Sequence, residues 1–207
     1  ANALPWTAKP EYLVGEIARN LGSKTPIRLV SSAKSWLCHA GVDCKQAILP
    51  AEAPEDVERI SPFAATKAYL QHLRDAWNHR FPEHHMQDQD VTITVPASFD
   101  PAARELTVEA ARAVGLGQAV LLEEPQAAFS WWLDRHGDDP TLAAAPGDGP
   151  RHVLVVDVGG GTTDFSLFEQ TEATDGGGPT IRRVAVSDHI LLGGDNMDLA
   201  IAHFIEP

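Results

Sequence analysis

A chain of 207 residues with 43% hydrophobic content can bury a core and form one large domain or two small ones. Its 16 basic and 29 acidic residues give a net charge of −13, which repels a phosphate backbone and excludes nucleic acid as a partner. No apolar run approaches the roughly 20 residues that span a bilayer, and no basic-then-apolar leader opens the chain. No membrane is therefore expected, and a cytoplasmic location is. Ala1-Asn2-Ala3 lacks a Met and reads as an expression remnant, while Pro207 directly follows a helical pattern, so an excised fragment is expected.

In chain order, residues 11 to 20 carry helix-like spacing, followed by an extended candidate at Ile27 to Val30. From Ser61 the pattern is strongly helical. Ser61 is a capping residue with Pro62 at the first position, Ala65, Ala68, Tyr69, Leu73, Ala76 and Trp77 share one side, and Pro82 stops the run after Arg80. Val91 to Val95 alternates as a strand does and Pro96 closes it. Asp100 predicts a cap, with Pro101 opening a helix to about Val114 before Gly115. Ala119 to Leu122 reads as a short strand, and Pro125 opens a helix through Leu133.

Residues 136 to 150, rich in Asp, Gly, Pro and Ala, read as a connector between domains at 1–135 and 151–207. Strands follow at 152 to 158, 163 to 169 and about 180 to 191, with a turn at Gly176 to Pro179. Asp195 is expected to cap a helix from Asn196 to Ile205. Three hairpin-linked strands and a helix are the beginning of a second mixed α/β unit.

The run Val153-Leu-Val-Val-Asp-Val-Gly-Gly-Gly-Thr-Thr-Asp164 joins two apolar strands by a glycine turn bracketed with carboxylates. Glycines permit positive φ and a close approach, so their N–H groups can point at phosphate oxygens. Thr162 and Thr163 add hydroxyl donors without bulk. Asp157 ends what reads as a buried strand, at the edge where open α/β sheets place ligands, and burying it without a partner is costly. Mg2+ uses one or two carboxylates plus substrate phosphates, which Asp157, Asp164 and ATP supply together. A glycine triplet alone is more often a plain turn; the flanking carboxylates favour the phosphate reading.

Asp157-Val-Gly-Gly-Gly-Thr-Thr-Asp164 resembles the second phosphate motif of the actin-like ATPase superfamily, in the form found in DnaK-type, seventy-kilodalton heat-shock chaperones. Four further segments resemble that family in order and spacing: Val14 to Arg19 with Ala33-Lys34 ("GDAAK…AK"), Val91 to Arg104 ("TVPAYF…R"), Leu122 to Ala128 ("NEPTAA") and Leu192 to Asp198 ("LGGEDFD"). The resemblance covers most of the chain and only the family's nucleotide-binding domain. It implies an α/β chain with the actin-like ATPase, ribonuclease H-like fold, here one near-complete lobe plus the start of the second. The cofactors implied are ATP or ADP and Mg2+. The partners implied are a peptide-binding domain, unfolded clients and co-chaperones.

Carried over residue by residue, the resemblance makes Asp157 and Asp164 the holders of the magnesium waters, and Gly160, Gly161 and Thr162 binders of β- and γ-phosphate. Gly159, Thr163, Gly193 and Gly194 complete the nucleotide-binding set, and Thr162 counts with Glu124 and Arg19 among the catalytic residues. Glu124 would order the attacking water; its plain alternative is a helix N-terminal acid favoured by the dipole. Pro96 and Arg104 would relay nucleotide state to another domain, although Pro96 is equally a strand terminator. Arg19 stands where the family has a lysine. A planar guanidinium keeps the charge and changes the geometry, so phosphate binding survives while alignment for hydrolysis alters; the alternative is an exposed helix cation. Asp195 and Met197 also replace the glutamate and phenylalanine of "GGEDFD", marking a divergent branch.

The leading function is thus an ATP-binding and ATP-hydrolysing chaperone domain. Its alternatives are a nucleotide sensor that scarcely hydrolyses, suggested by Arg19, and a small-molecule kinase on the same scaffold. The family's first phosphate motif, an N-terminal hairpin, and much of its adenosine site are not found among these residues, so this chain alone is expected to bind ATP weakly and turn it over negligibly. Two other groupings are set aside. Cys38, His39 and Cys44 are an incomplete zinc set without a zinc spacing, and His84, His85, Asp88 and Asp90 read as polar loop residues. Trp131 and Trp132 read as packing.

Overall fold

A computed structural model describes residues 3–39, 41–136, 149–171, 180–188, 190 and 192–205. The chain is a mixed α/β protein with six α-helices and five strands among the described residues. It divides into two compact units, residues 1–93 with 100–121, and 94–99 with 122–207. Twelve of the fifteen residues expected as a connector, 137–148, lie outside the described residues, as does the turn expected at 176–179.

In the first unit α1 spans Glu16–Gly22, later than the expected start at 11, because Gly15 before it takes a φ of 77° that no helix continues. The extended segment expected at 27–30 is instead a 3-10 turn over Pro26–Arg28, closed by the Leu29 amide donating to the Pro26 carbonyl at 3.0 Å. Proline at the first position favours such a turn. A short α2 follows at Ala33–Trp36, and α3 runs over Pro62–Arg80 with the Ser61 hydroxyl accepting from the Ala64 amide at 3.0 Å. Helix α4, Pro101–Ala113, is capped in the same way by Asp100, whose carboxylate accepts from Ala103 at 2.7 Å.

Gly115 ends α4 with a φ of 83°, which a β-carbon would strain, and Arg74 of α3 donates to the Val114 carbonyl at 2.7 Å. Two apolar clusters hold this unit: Ala33, Leu49 and Ala65 with Trp36 and Tyr69, and Ala111, Val114 and Leu116 with Leu70, Met86 and Ile93. The α3 stripe is buried only in part, since Leu73 and Trp77 are exposed. Strands β1, Thr92–Val95, and β2, Val120–Glu123, pair in a two-stranded sheet.

In the second unit α5 spans Glu124–His136, and β3 (Arg151–Val158), β4 (Thr163–Thr171) and β5 (Thr180–Val186) form an antiparallel sheet in that order. A bulge between Leu167 and Phe168 interrupts the β4–β5 register. The run expected as a strand to 191 ends at Val186, and Ile190 returns only as an isolated bridge to Thr163.

Strand β3 was expected to be a buried strand. In the structure its residues alternate, and Leu154, Val156 and Val158 stay more than half exposed. Side chains on one strand face repeat every second residue, so the covered face carries Val153, Val155 and Asp157 opposite Phe168, Ser166 and Asp164. Phe129 of α5 packs on that face, its ring 5.3 Å from that of Phe168. Helix α6 spans Gly194–Ile205.

Candidate functional site

The β3–β4 turn is the centre of the candidate site. Asp157 and Asp164 are direct cross-strand partners at the turn end of the hairpin, with Asp164 only 4% exposed and Asp157 half-buried. Like charges placed directly opposite each other in a sheet repel, so this pair costs stability unless a positive charge joins it. The donor set is hard oxygen on one face of a rigid ladder, which fits a magnesium ion that keeps most of its waters.

The turn closes with the Gly159 amide donating to the Thr162 carbonyl at 2.8 Å. The glycines were expected to let the backbone take positive φ; Gly159 and Gly160 do not adopt it. A β-carbon on Gly159 would stand 3.4 Å from the Thr162 carbonyl and one on Gly160 3.7 Å from the Asp195 carboxylate, both ordinary contact distances.

The start of α6 is laced to this turn. Gly194 and Asp195 donate their amides to the carbonyls of Gly159 and Gly160 at 2.9 and 2.8 Å. Thr163 donates its amide to Ile190 at 3.0 Å and its hydroxyl to the Leu192 carbonyl at 2.7 Å. The Asn196 side chain accepts from the Gly193 amide at 2.9 Å, and the Gly193 carbonyl takes the first bonds of the helix from Asn196 and Met197. Gly193, not Asp195, is therefore the capping position. Asp195 sits in the first turn, because the tight fit over the loop draws the helix start back by two residues.

These bonds sort the turn's amides into two groups. The N–H groups of Gly159, Thr163, Gly193 and Gly194 are engaged within the protein. Among the described residues no bond takes those of Gly160, Gly161 and Thr162. Three consecutive donors are thus left beside two carboxylates, an arrangement of the kind that receives phosphate oxygens with a divalent ion. The Ser166 hydroxyl, 1% exposed on the same sheet face, is a buried polar group with no hydrogen-bond partner among the described residues. The sequence reading missed it; its alternation with Asp164 was the available signal.

Glu124 is the first residue of α5, half-buried, in the same unit as the turn. The structure adds a neighbour that sequence reasoning did not single out: Glu123, ion-paired with Arg183 of β5. Pro96 directly follows β1, fully buried, and belongs to the second unit, whereas Arg104 lies in the first turns of α4 in the first unit. Arg19 is exposed on α1, also in the first unit.

The groupings set aside behave as ordinary structure. Cys38 and Cys44 are free thiols donating to backbone carbonyls, Cys38 to Ser35 at 3.2 Å and Cys44 to Trp36 at 3.4 Å. Burial first, then the charges of Asp43 and Asp100, pushes the Cys44 thiol above its ordinary value. Gln87 bonds the His85 ring at 3.3 Å within a loop. Trp132 stacks on Phe129 and His136, but Trp131 is 59% exposed and not packed as expected, with Arg135 over its ring. No described helix is long and apolar enough to cross a membrane.

Known proteins resemble the chain along nearly its whole length. The family model described as "Hsp70 protein" matches residues 6–206. Heat shock 70 kDa protein BIP3 of Oryza sativa subsp. japonica is 28% identical over 221 residues, covering 97% of this chain and 30% of that protein. The chain therefore spans under a third of the curated relative's length.

Proposed function

Since the chain belongs to the Hsp70 family, we propose that it is part of a nucleotide-binding domain that handles ATP or ADP with Mg2+ in a DnaK-like chaperone of actin-like ATPase fold. The observation that carries the reading is the row of uncommitted amides at Gly160, Gly161 and Thr162 beside the opposed Asp157 and Asp164. The amides would receive β- and γ-phosphate oxygens, and the two carboxylates would hold the waters of the magnesium ion, which supplies charge neutralisation. Gly159, Thr163, Gly193 and Gly194 would keep the turn in shape from behind, and the Thr162 hydroxyl would face the phosphates.

Glu124 would accept a proton or hydrogen bond from the attacking water, and Arg19 would take the part of the family's phosphate-bridging lysine. Pro96 and Arg104 would report nucleotide state to a peptide-binding domain acting on unfolded clients with co-chaperones. The lobes would be 1–135 and 151–207 with 136–150 between them, although 94–99 and 122–135 group with the second compact unit.

A second reading has its own observation. Arg19 replaces the lysine of the family pattern, and a fork-shaped donor in place of a point charge favours holding ATP over hydrolysing it. A whole protein that binds Mg-ATP and loses binding on Asp157→Asn or Asp164→Asn, by titration calorimetry, supports nucleotide handling at this turn. Binding that survives both substitutions together would sink it.

A further inference from the structure

Glu123 ends β2 and Glu124 begins α5, so two acids stand in succession where the "NEPTAA" pattern has asparagine before its glutamate. The structure gives the extra acid a partner. The Glu123 carboxylate pairs with the Arg183 guanidinium of β5, and the two side chains are only 16% and 32% exposed. Arg183 is the cross-strand partner of Phe168, and Phe168 packs on Phe129 of α5 at 5.3 Å. One ionic and one aromatic contact thus pin the first turns of α5 to neighbouring positions of the sheet, on the face that bears Asp157 and Asp164. Glu124 lies between the two pins.

We propose that Glu123 and Arg183 form a positioning clamp that sets the Glu124 carboxylate relative to the aspartate pair. An arginine suits this use, because its planar fork holds a carboxylate in one orientation while an ammonium does not. It also brings a positive charge to Glu123, which stands next to Glu124 in the chain. An exposed pair contributes little to stability, but this one is mostly covered and tied to a packed aromatic contact, so its effect falls on geometry. The proposal rests on the nucleotide reading given above.

In the whole protein, Glu123→Gln and Arg183→Gln are each expected to lower kcat for Mg-ATP hydrolysis on the order of tenfold, with KM changed by less than about twofold. The reversed pair, Glu123→Arg with Arg183→Glu, is expected to recover most of that loss. Amide hydrogen exchange over residues 122–130 is expected to quicken in the single variants and slow again in the reversed pair. Unchanged exchange overturns the clamp. Quickened exchange with unchanged kcat, or a parallel rise in KM, overturns its positioning role. The exchange response in the variants together with a wild-type protein that never hydrolyses ATP sinks the ATPase reading, and the positioning role falls with it.

Discussion

The carbonyl oxygen of Gly160 lies 2.5 Å from the point where a β-carbon on Gly193 would stand, and that of Gly159 lies 2.6 Å from it. Two glycine runs more than thirty residues apart in sequence are therefore one object, the β3–β4 turn seated on the first turn of α6. The contact leaves no room for relaxation by a side chain, because both obstructing atoms are backbone.

Gly193→Ala is expected to push α6 off the turn, at a cost of ~1–3 kcal/mol for a forced overpacking. The thermal midpoint should fall, and Mg-ATP affinity, read by calorimetry on the whole protein, should fall with it. An unchanged midpoint would show that the two runs do not seat on each other.

Removing one charge from the Asp157–Asp164 pair should act in opposite directions with and without metal. In chelator, Asp157→Asn is expected to raise stability by ~0.2–1 kcal/mol, since like charges directly opposed in a sheet repel. With Mg2+ added, the wild type should gain stability and the variant should gain less. A variant that is destabilised in chelator would mean that the pair is compensated from within the protein.

Arg19→Lys tests whether hydrolysis is limited by the shape of the cation. Single-turnover hydrolysis by the whole protein should rise at least about tenfold, equivalent to ~1.4 kcal/mol of barrier, if the natural arginine makes a sensor. No gain in a protein that already hydrolyses ATP favours the chaperone ATPase.

Cys44 supplies a pH dependence in the first unit. Burial and the nearby Asp43 and Asp100 raise its thiol above the ordinary value of 9.0. The folded state then holds the proton more tightly than the unfolded one. Its contribution to stability is fully present below pH 9.0 and is lost as pH rises through the higher folded value. Alkylation by iodoacetamide should begin at higher pH at Cys44 than in the unfolded chain, and Asp100→Asn should move that onset down. An onset equal to that of the unfolded chain would remove the contribution.

Local signals were legible where a residue acts on its immediate neighbours. Ser61 and Asp100 each cap the helix that begins at the next residue, and the β3 and β4 strands lie within two residues of where alternation puts them. The failures have two causes, one distant and one local. Asp195 was taken for a cap because it is the right residue type, but the start of α6 is set by its bonds to Gly159 and Gly160, across more than thirty residues. The 27–30 segment turned instead of extending because Pro26 favours a tight turn at its own position.

The sequence by itself determined the alternation of strands and helices, the acids flanking the glycine turn and the lineage, because these depend on residue types at short fixed spacings. Tertiary structure alone decided which donors the turn has to offer. The Gly159 amide is taken by the Thr162 carbonyl and that of Thr163 by Ile190, the start of α6 donates its own amides to the carbonyls of Gly159 and Gly160, and the amides of Gly160, Gly161 and Thr162 are left. It likewise decided that Glu123 meets Arg183. A hydrogen bond is spent or available only once its distant partner has arrived, and no spacing along the chain records that.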